Sequence, residues 1–272
     1  MLYSPLLSFL RLLVLLVWTL IIVLLHTLTL FLSKKLFFTF YNLLFLGLTK
    51  IFGIKIKYSG MPNKKNVLFV SNHISYLDIM ILGSSIKALF VAKSDIKNWP
   101  IINKLCFKGK TIFVERDKIR SVNKQMQIIK EKMREGYNVI LFPEGTSSDG
   151  SKVLKFKSSL FKLIDHPELK DFNIQPISIS YSKLDGLPLD KIFRPFLAWF
   201  GAMDLLSHAW KFLGLGVSEV NIHFHKSRKF SYFSDRKHAC NFCFNQISDQ
   251  VMNNFRSLEV EDKIKLYEFK FL

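Results

Sequence analysis

The chain has 272 residues, 49% hydrophobic and 22% charged, with only 12 Gly and 8 Pro, a composition that excludes a disordered, collagen-like or low-complexity protein. Lys and Arg number 39 against 21 Asp and Glu, giving a net charge of +18 beside a mean hydropathy of +0.20. A chain both basic and greasy points to polyanionic partners: nucleic acid, anionic lipid headgroups or a phosphorylated substrate.

Residues 1–54 read as a membrane-anchoring helical segment. Leu12 to Ser33 run for 22 residues without a formal charge, which at ~1.5 Å per residue reaches across a ~30 Å hydrocarbon core. No small-x-small cleavage site follows, and Lys34 and Lys35 close the run, so a retained anchor is expected. A second apolar stretch, Leu36 to Ile54, carries Tyr41, Asn42, Thr49 and Lys50 and makes either an interfacial helix or the return limb of a hairpin. Spanning and in-plane arrangements both stand. Only Arg11 precedes the first run, whereas Lys34, Lys35, Lys50, Lys55, Lys57, Lys64 and Lys65 follow it. The positive-inside bias then puts the remainder on the cytoplasmic face of the inner membrane. Cys106, Cys240 and Cys243 are too few and of the wrong parity for a disulfide framework, in keeping with that compartment. Trp18 and His26, inside the first run, receive no role.

Residues 55–272 read as one cytoplasmic domain. Short apolar, β-rich runs recur at 54–58, 66–70, 88–92, 111–114, 138–142, 174–180 and 220–224, as expected of strands buried on both faces. The clearest helix between them is Lys118–Glu135, with Asp117 as N-cap and Gly136 as stop. The rhythm predicts an α/β fold: a mixed, mostly parallel sheet flanked by helices, behind an N-terminal membrane helix or helical hairpin. Such sheets carry their sites at the carboxyl ends of the strands.

Three strand ends bear polar residues. The first, Val70-Ser71-Asn72-His73 followed by Ser75 and Asp78, places a His and an Asp five residues apart. Five helical residues rotate the chain by ~500°, leaving the pair ~140° apart, so His73 must sit on the turn. With Ser75 as N-cap, Asp78 at N3 reaches back to fix the imidazole tautomer and leave the other nitrogen as a general base. The same Ser-x-x-Asp spacing is also a capping box. The second, Phe113-Val114-Glu115-Arg116, offers a guanidinium that grips phosphate or pairs with a neighbouring acid. The third, Phe142-Pro143-Glu144-Gly145-Thr146-Ser147, ends a strand in a turn where Glu144 accepts from a substrate hydroxyl, Gly145 permits close backbone approach, and Thr146, Ser147 and nearby N–H groups cradle an anion.

Together, Asn72-His73-x4-Asp78, Phe113-Val114-Glu115-Arg116, Phe142-Pro143-Glu144-Gly145-Thr146 and Gln175-Pro176-Ile177 resemble the four blocks of the glycerolipid acyltransferases over residues 55–185. The pattern is nearest to the bacterial 1-acyl-sn-glycerol-3-phosphate acyltransferases, whose likeness extends to Phe90-Val91-Ala92-Lys93, Trp99-Pro100 and Ala198-Trp199-Phe200-Gly201. Two departures stand out: Ser147 replaces the Arg that often follows the third block, and Gly109 lies one residue too far from Arg116. The resemblance implies transfer of a fatty acyl group from a thioester on coenzyme A or acyl carrier protein to the sn-2 hydroxyl of lysophosphatidic acid, giving phosphatidic acid without metal or cofactor. It implies His73 as base and Asp78 as its orienting partner. It further implies Arg116, Glu144, Gly145 and Thr146 as acceptor-binding residues, with Lys93 as an added phosphate contact. Backbone N–H groups of the His73 turn are the expected oxyanion donors.

Other features point less far. His238-x-Cys240-x-x-Cys243 supplies three ligands where structural zinc wants four. Lys152, Lys155, Lys157 and Lys162 interleave with apolar residues, a composition suited to the membrane interface, and no nucleic-acid-binding signature accompanies them. Phe193–Leu215 carries Arg194, Asp204, His208 and Lys211 and reads as a lipid-facing or core helix. The competing functions are O-acylation of another lysolipid, such as lyso-ornithine lipid, and a non-catalytic scaffold that binds anionic lipid.

Overall fold

The computed structural model describes residues 3–29, 33–93, 102–114, 119–190 and 193–270. Two helices, α1 (Pro5–Thr29) and α2 (Lys34–Ile51), precede a sheet built from β1 (Ile54–Ser59), β2 (Val67–Ser71), β3 (Ala88–Lys93), β4 (Ile112–Val114), β5 (Asn138–Leu141), β6 (Asn173–Leu184), β7 (Leu187–Pro188), β8 (Ser218–Phe224) and β9 (Arg228–Lys229). The sheet order is β1-β8-β6-β2-β5-β3-β4, with β7 and β9 paired to β6. All neighbours along that path are parallel except β6 and β8, so the sheet is mixed and mostly parallel, as expected. Every residue of β2 and β5 is buried, which explains why these strands lack apolar-polar alternation.

Helices cover both faces. On one, α2 packs on α3 (Leu77–Ser85) and sends Phe37, Phe38 and Tyr41 into the main core. On the other, α7 (Arg236–Lys270) crosses β6, where Ser178 Oγ and Ser180 Oγ bond to Ile247 O and Asn254 Nδ2. Helix α4 (Ile102–Lys108) lies between β3 and β4, and α5 (Ile119–Arg134) stops before Gly136, whose φ of +81° suits the left-handed C-terminal position; the expected cap Asp117 lies outside the described residues. The Phe193–Leu215 region is not one helix: it holds a 3₁₀ turn at Arg194–Phe196 and α6 (Leu205–Leu213), and leaves Phe193, Phe196 and Leu206 exposed. Asp204 caps α6 by accepting from Ser207 N at 2.8 Å.

Helix α1 is fastened to the domain near both ends. At its start Ser4 N donates to Gly214 O (2.9 Å), Ser8 Oγ to Trp210 O (3.0 Å), and Arg11 Nη1 to Leu213 O and Leu215 O (3.1 and 2.6 Å), so the guanidinium neutralises the carbonyl end of α6. Near its end His26 Nε2 meets Lys108 O at 3.3 Å, and Lys108 Nζ donates to Thr27 Oγ1 at 2.6 Å. Between these points the Trp18 indole lies against Gly47 of α2, in space a Cβ would fill, and donates to Leu44 O at 3.1 Å. The outer face of α1 exposes Leu6, Phe9, Leu13, Val17, Leu20 and Leu24. It is the one candidate membrane span among the described residues.

Candidate active site

Strand β2 delivers Ser71-Asn72-His73 at its carboxyl end, and Asn72 locks this turn to the neighbouring strand. Its side chain pairs with Ile179 as a backbone would: Ile179 N donates to Asn72 Oδ1 (2.8 Å) and Asn72 Nδ2 to Ile179 O (2.9 Å). His73 thus leaves the strand before α3 begins. The helix opens at Leu77 with Tyr76 in the cap position at φ −56° and ψ −21°, one residue later than the Ser75 cap expected. Ser75 Oγ is buried and makes no hydrogen bond among the described residues.

Asp78 nonetheless reaches back. Its Oδ2 accepts from His73 Nδ1 (2.9 Å), Ile74 N (2.6 Å) and Ser75 N (2.9 Å), and its Oδ1 accepts from Tyr181 Oη (2.9 Å). The capping and imidazole-orienting readings are therefore the work of one oxygen. Because that carboxylate accepts the hydrogen bond of Nδ1–H, Nε2 is left as the acceptor nitrogen. The imidazole also stacks on Phe142, centroids 4.2 Å apart and planes 21° from parallel. Its side chain is 16% exposed, held on two sides with part of the ring open. Tyr181 could not be picked out from the sequence, since its role depends on strand register 103 residues from Asp78. Burial first, and the Asp78 charge second, hold its hydroxyl well above the usual phenol range, so it stays a donor.

The turn after β5 closes the site from the other side. Gly145 N donates to Phe142 O (3.2 Å), and Gly145 has φ +79°, a conformation that favours glycine. Glu144 is 4% exposed, and its oxygens accept from His73 N (2.7 Å) and Leu154 N (2.9 Å). The acceptor role toward a substrate hydroxyl expected for Glu144 gives way to a structural one: it clips the backbone of His73. Ser148 completes the clip, donating from N and Oγ to His73 O at 2.9 and 3.2 Å. Thr146 is exposed at the same turn.

The expected oxyanion donors need correction. The N–H groups of His73, Ile74 and Ser75 are spent on Glu144 and Asp78, so none of the three faces a substrate oxygen. Arg116 lies outside the described residues. Lys93 ends β3, and its side chain is likewise outside them. Gln175, in the fourth block, braces the frame by bonding Met61 O, His225 O and Asn63 N at 2.8 to 2.9 Å. Aromatic groups gather beside Ile74: Tyr76 Oη meets His208 Nδ1 at 3.2 Å, and Trp199 N donates to Ile74 O at 3.1 Å. The residues of the zinc-like motif serve locally, with Cys240 and Cys243 buried and His238 beside Ser234 at the start of α7; no cluster of three or more metal-ligating side chains occurs among the described residues.

Comparison with known proteins is consistent with this geometry. The family model Acyltransferase matches residues 55–180. The lyso-ornithine lipid O-acyltransferase of Rhizobium meliloti is 32% identical over 211 residues, 76% of this chain and 72% of that protein. The 1-acyl-sn-glycerol-3-phosphate acyltransferase of Neisseria meningitidis is 32% identical over 110 residues, 40% of this chain and 43% of that one. The crystal structure of the 1-acyl-sn-glycerophosphate acyltransferase of Thermotoga maritima shares the fold, with a TM-score of 0.61 over 89% of this chain and 97% of that one at 19% identity. This chain belongs to the glycerolipid acyltransferase family. Its fold and its sequence blocks are those of an enzyme of lipid biosynthesis.

Burial pushes the Glu144 carboxyl up to about 8; its two N–H donors oppose the push and the Asp78 charge adds to it. A carboxyl raised in the folded state binds its proton more tightly there than in the unfolded chain. Its contribution to stability therefore falls as pH rises from about 4.5 to about 8. Glu144→Gln is expected to shrink the loss of melting temperature between about pH 5 and about pH 8.5, measured in detergent; a loss equal to that of the wild type would contradict this.

Proposed function

We propose that this chain is a membrane-bound lysolipid O-acyltransferase in which His73 is the general base. The observation that carries the reading is the His73–Asp78 contact, which leaves Nε2 as the free acceptor of an imidazole held by Asp78 and Phe142. Nε2 takes the proton of the acceptor's hydroxyl as that oxygen attacks the thioester carbonyl carbon. The tetrahedral intermediate collapses with breakage of the C–S bond, and Nε2–H returns the proton to the departing thiolate. The products are a new ester and a free thiol. Asp78 stabilises the transient imidazolium; Glu144 acts through the His73 backbone. The nucleophile is the substrate, so no acyl-enzyme is needed. Gly145, Thr146, Arg116 and Lys93 are the proposed acceptor contacts, and acyl coenzyme A or acyl carrier protein is the proposed donor.

For the acceptor, lyso-ornithine lipid is favoured by the match to the Rhizobium meliloti protein along three quarters of the chain and by Ser147 in place of an arginine. Lysophosphatidic acid is the second reading, favoured by the Phe142–Thr146 block and the relatives that share it. Purified protein in detergent, given a thioester donor, is expected to acylate at least one of the two. His73→Ala is expected to lower the rate about 10²- to 10⁴-fold with membrane association unchanged. Equal rates for variant and wild type would remove His73 from the chemistry and favour a scaffold.

The division of labour follows the chain: residues 1–54 supply the membrane contact and 55–272 the chemistry, on the cytoplasmic face. Helix α1 is 25 residues long, about 38 Å. A rod of that length tied to one domain near both ends cannot cross a bilayer with the domain on one side, so α1 is proposed to lie in the membrane plane with its apolar face in lipid. In a chain with its own cysteines replaced by alanine, Ser4→Cys and Ser33→Cys are both expected to react with an impermeant thiol reagent from the domain side of sealed vesicles. Reaction of the two from opposite sides would show a span.

A further inference from the structure

The third-block turn brings no positive charge of its own within the described residues, since Thr146 is followed by Ser147. The structure supplies one from elsewhere. Lys157 N donates to Pro143 O at 2.9 Å, and Leu154 N donates to Glu144 Oε2 at 2.9 Å, so residues 154–157 lie along the turn. The flanking Phe156 and Leu160 are buried and fix that placement. The Lys157 stem fills the hollow left by Gly145. A Cβ there would stand 2.8 Å from Nζ, 2.9 Å from Cε and 3.3 Å from Cδ. The ammonium is therefore held over Gly145, next in the chain to the Glu144 that grips His73 N.

This cation is uncompensated. Lys130 and Lys132 have Glu168 and Glu135 as partners, and Lys152 lies near Asp149. Lys157 is exposed and has no acidic partner among the described residues, while Glu144, next to Gly145 in the chain, is committed to backbone donors. A lysine ordinarily samples many rotamers, so one packed into a glycine hollow beside a catalytic turn has lost freedom without gaining a counter-ion. An anionic ligand would complete it.

Resting on the lysolipid reading above, we propose that Lys157 binds the anionic oxygen group of the acceptor's headgroup and so selects charged over neutral acceptors. An ammonium is a point charge that accepts the phosphate of lysophosphatidic acid or the free carboxylate of an N-acylated ornithine. The exposed apolar residues Phe196 and Leu206 stand three residues before Trp199 and two before His208 in the chain, beside the aromatic group of Tyr76, Trp199 and His208. The Gly145 turn, with the Lys157 ammonium over it, is the polar place proposed for the headgroup.

Binding in detergent micelles without any donor tests this independently of turnover. Titrations of lysophosphatidic acid, lyso-ornithine lipid and uncharged monoacylglycerol would compare wild type with Lys157→Ala, Lys157→Arg and Lys155→Ala. Lys157→Ala is expected to weaken binding of lysophosphatidic acid, of the zwitterionic lyso-ornithine lipid, or of both about tenfold, identifying the source of the anionic group, with monoacylglycerol binding unchanged. Lys157→Arg should restore most of the affinity. Lys155→Ala, which removes the same charge from a neighbouring exposed site, should change it less than about twofold. The proposal is overturned if wild type binds neither lysophosphatidic acid nor lyso-ornithine lipid, if Lys157→Ala leaves both affinities intact, if Lys155→Ala matches its effect, or if monoacylglycerol binding falls equally. A wild type that binds as expected yet transfers no acyl group would sink the enzymatic reading alone.

Discussion

Asp78 is fully buried, and an ionised carboxylate out of water costs several kcal/mol unless its oxygens are satisfied. Four donors satisfy it: the His73 imidazole, the backbone N–H groups of Ile74 and Ser75, and the Tyr181 hydroxyl. Each of these bonds also positions something. The two N–H bonds shape the turn on which His73 stands, the Tyr181 bond ties α3 to the middle of the sheet, and the imidazole bond sets which nitrogen faces the cleft. Removing the carboxylate would leave inward-pointing N–H groups and a buried hydroxyl unpaired, so helix start and imidazole tautomer depend on the same charge.

The frame around this carboxylate is β6. It pairs with β2 on one side and β8 on the other, and its residues serve in turn: Gln175 braces the 61–63 loop and the end of β8, Ile179 holds Asn72, and Tyr181 reaches Asp78. The β5 turn meets this frame through Glu144 and Ser148, which grip N and O of the same histidine. The end of β2 and the turn after β5 thus meet at one residue, whose backbone is held at N and O while Asp78 holds its imidazole. Such preorganisation suits the general-base role proposed for His73, in which the nucleophile arrives with the substrate.

Much of this was legible in the sequence. The seven strand runs declared themselves because strands covered on both faces must be apolar throughout, and α5 announced its end at Gly136. The five-residue spacing of His73 and Asp78 sufficed to place the imidazole on a turn. What could not be read is what tertiary register decides. Tyr181 joins Asp78 only because β6 runs parallel to β2 in one register. Glu144 looked like a substrate ligand because nothing local shows that the N–H groups of His73 and Leu154 converge on it. The same convergence removes the His73-turn N–H groups from oxyanion duty. The β7 and β9 pairs are two residues long, below any periodic signal. For helix α1 the sequence leaves spanning and in-plane arrangements open, since the carbonyls that hold Arg11 lie more than 200 residues downstream.

The chemistry proposed for this member of the family reduces to one atom-level claim: neutral His73 carries its proton on Nδ1, bonded to Asp78, and presents a bare Nε2. Nitrogen-15 NMR of histidine-labelled protein in detergent, with His73 assigned by comparison with His73→Ala, reads the tautomer directly. The account predicts a pyrrole-type Nδ1 and a pyridine-type Nε2 for neutral His73, with the pattern lost in Asp78→Leu. A pyrrole-type Nε2 in the wild type would contradict it.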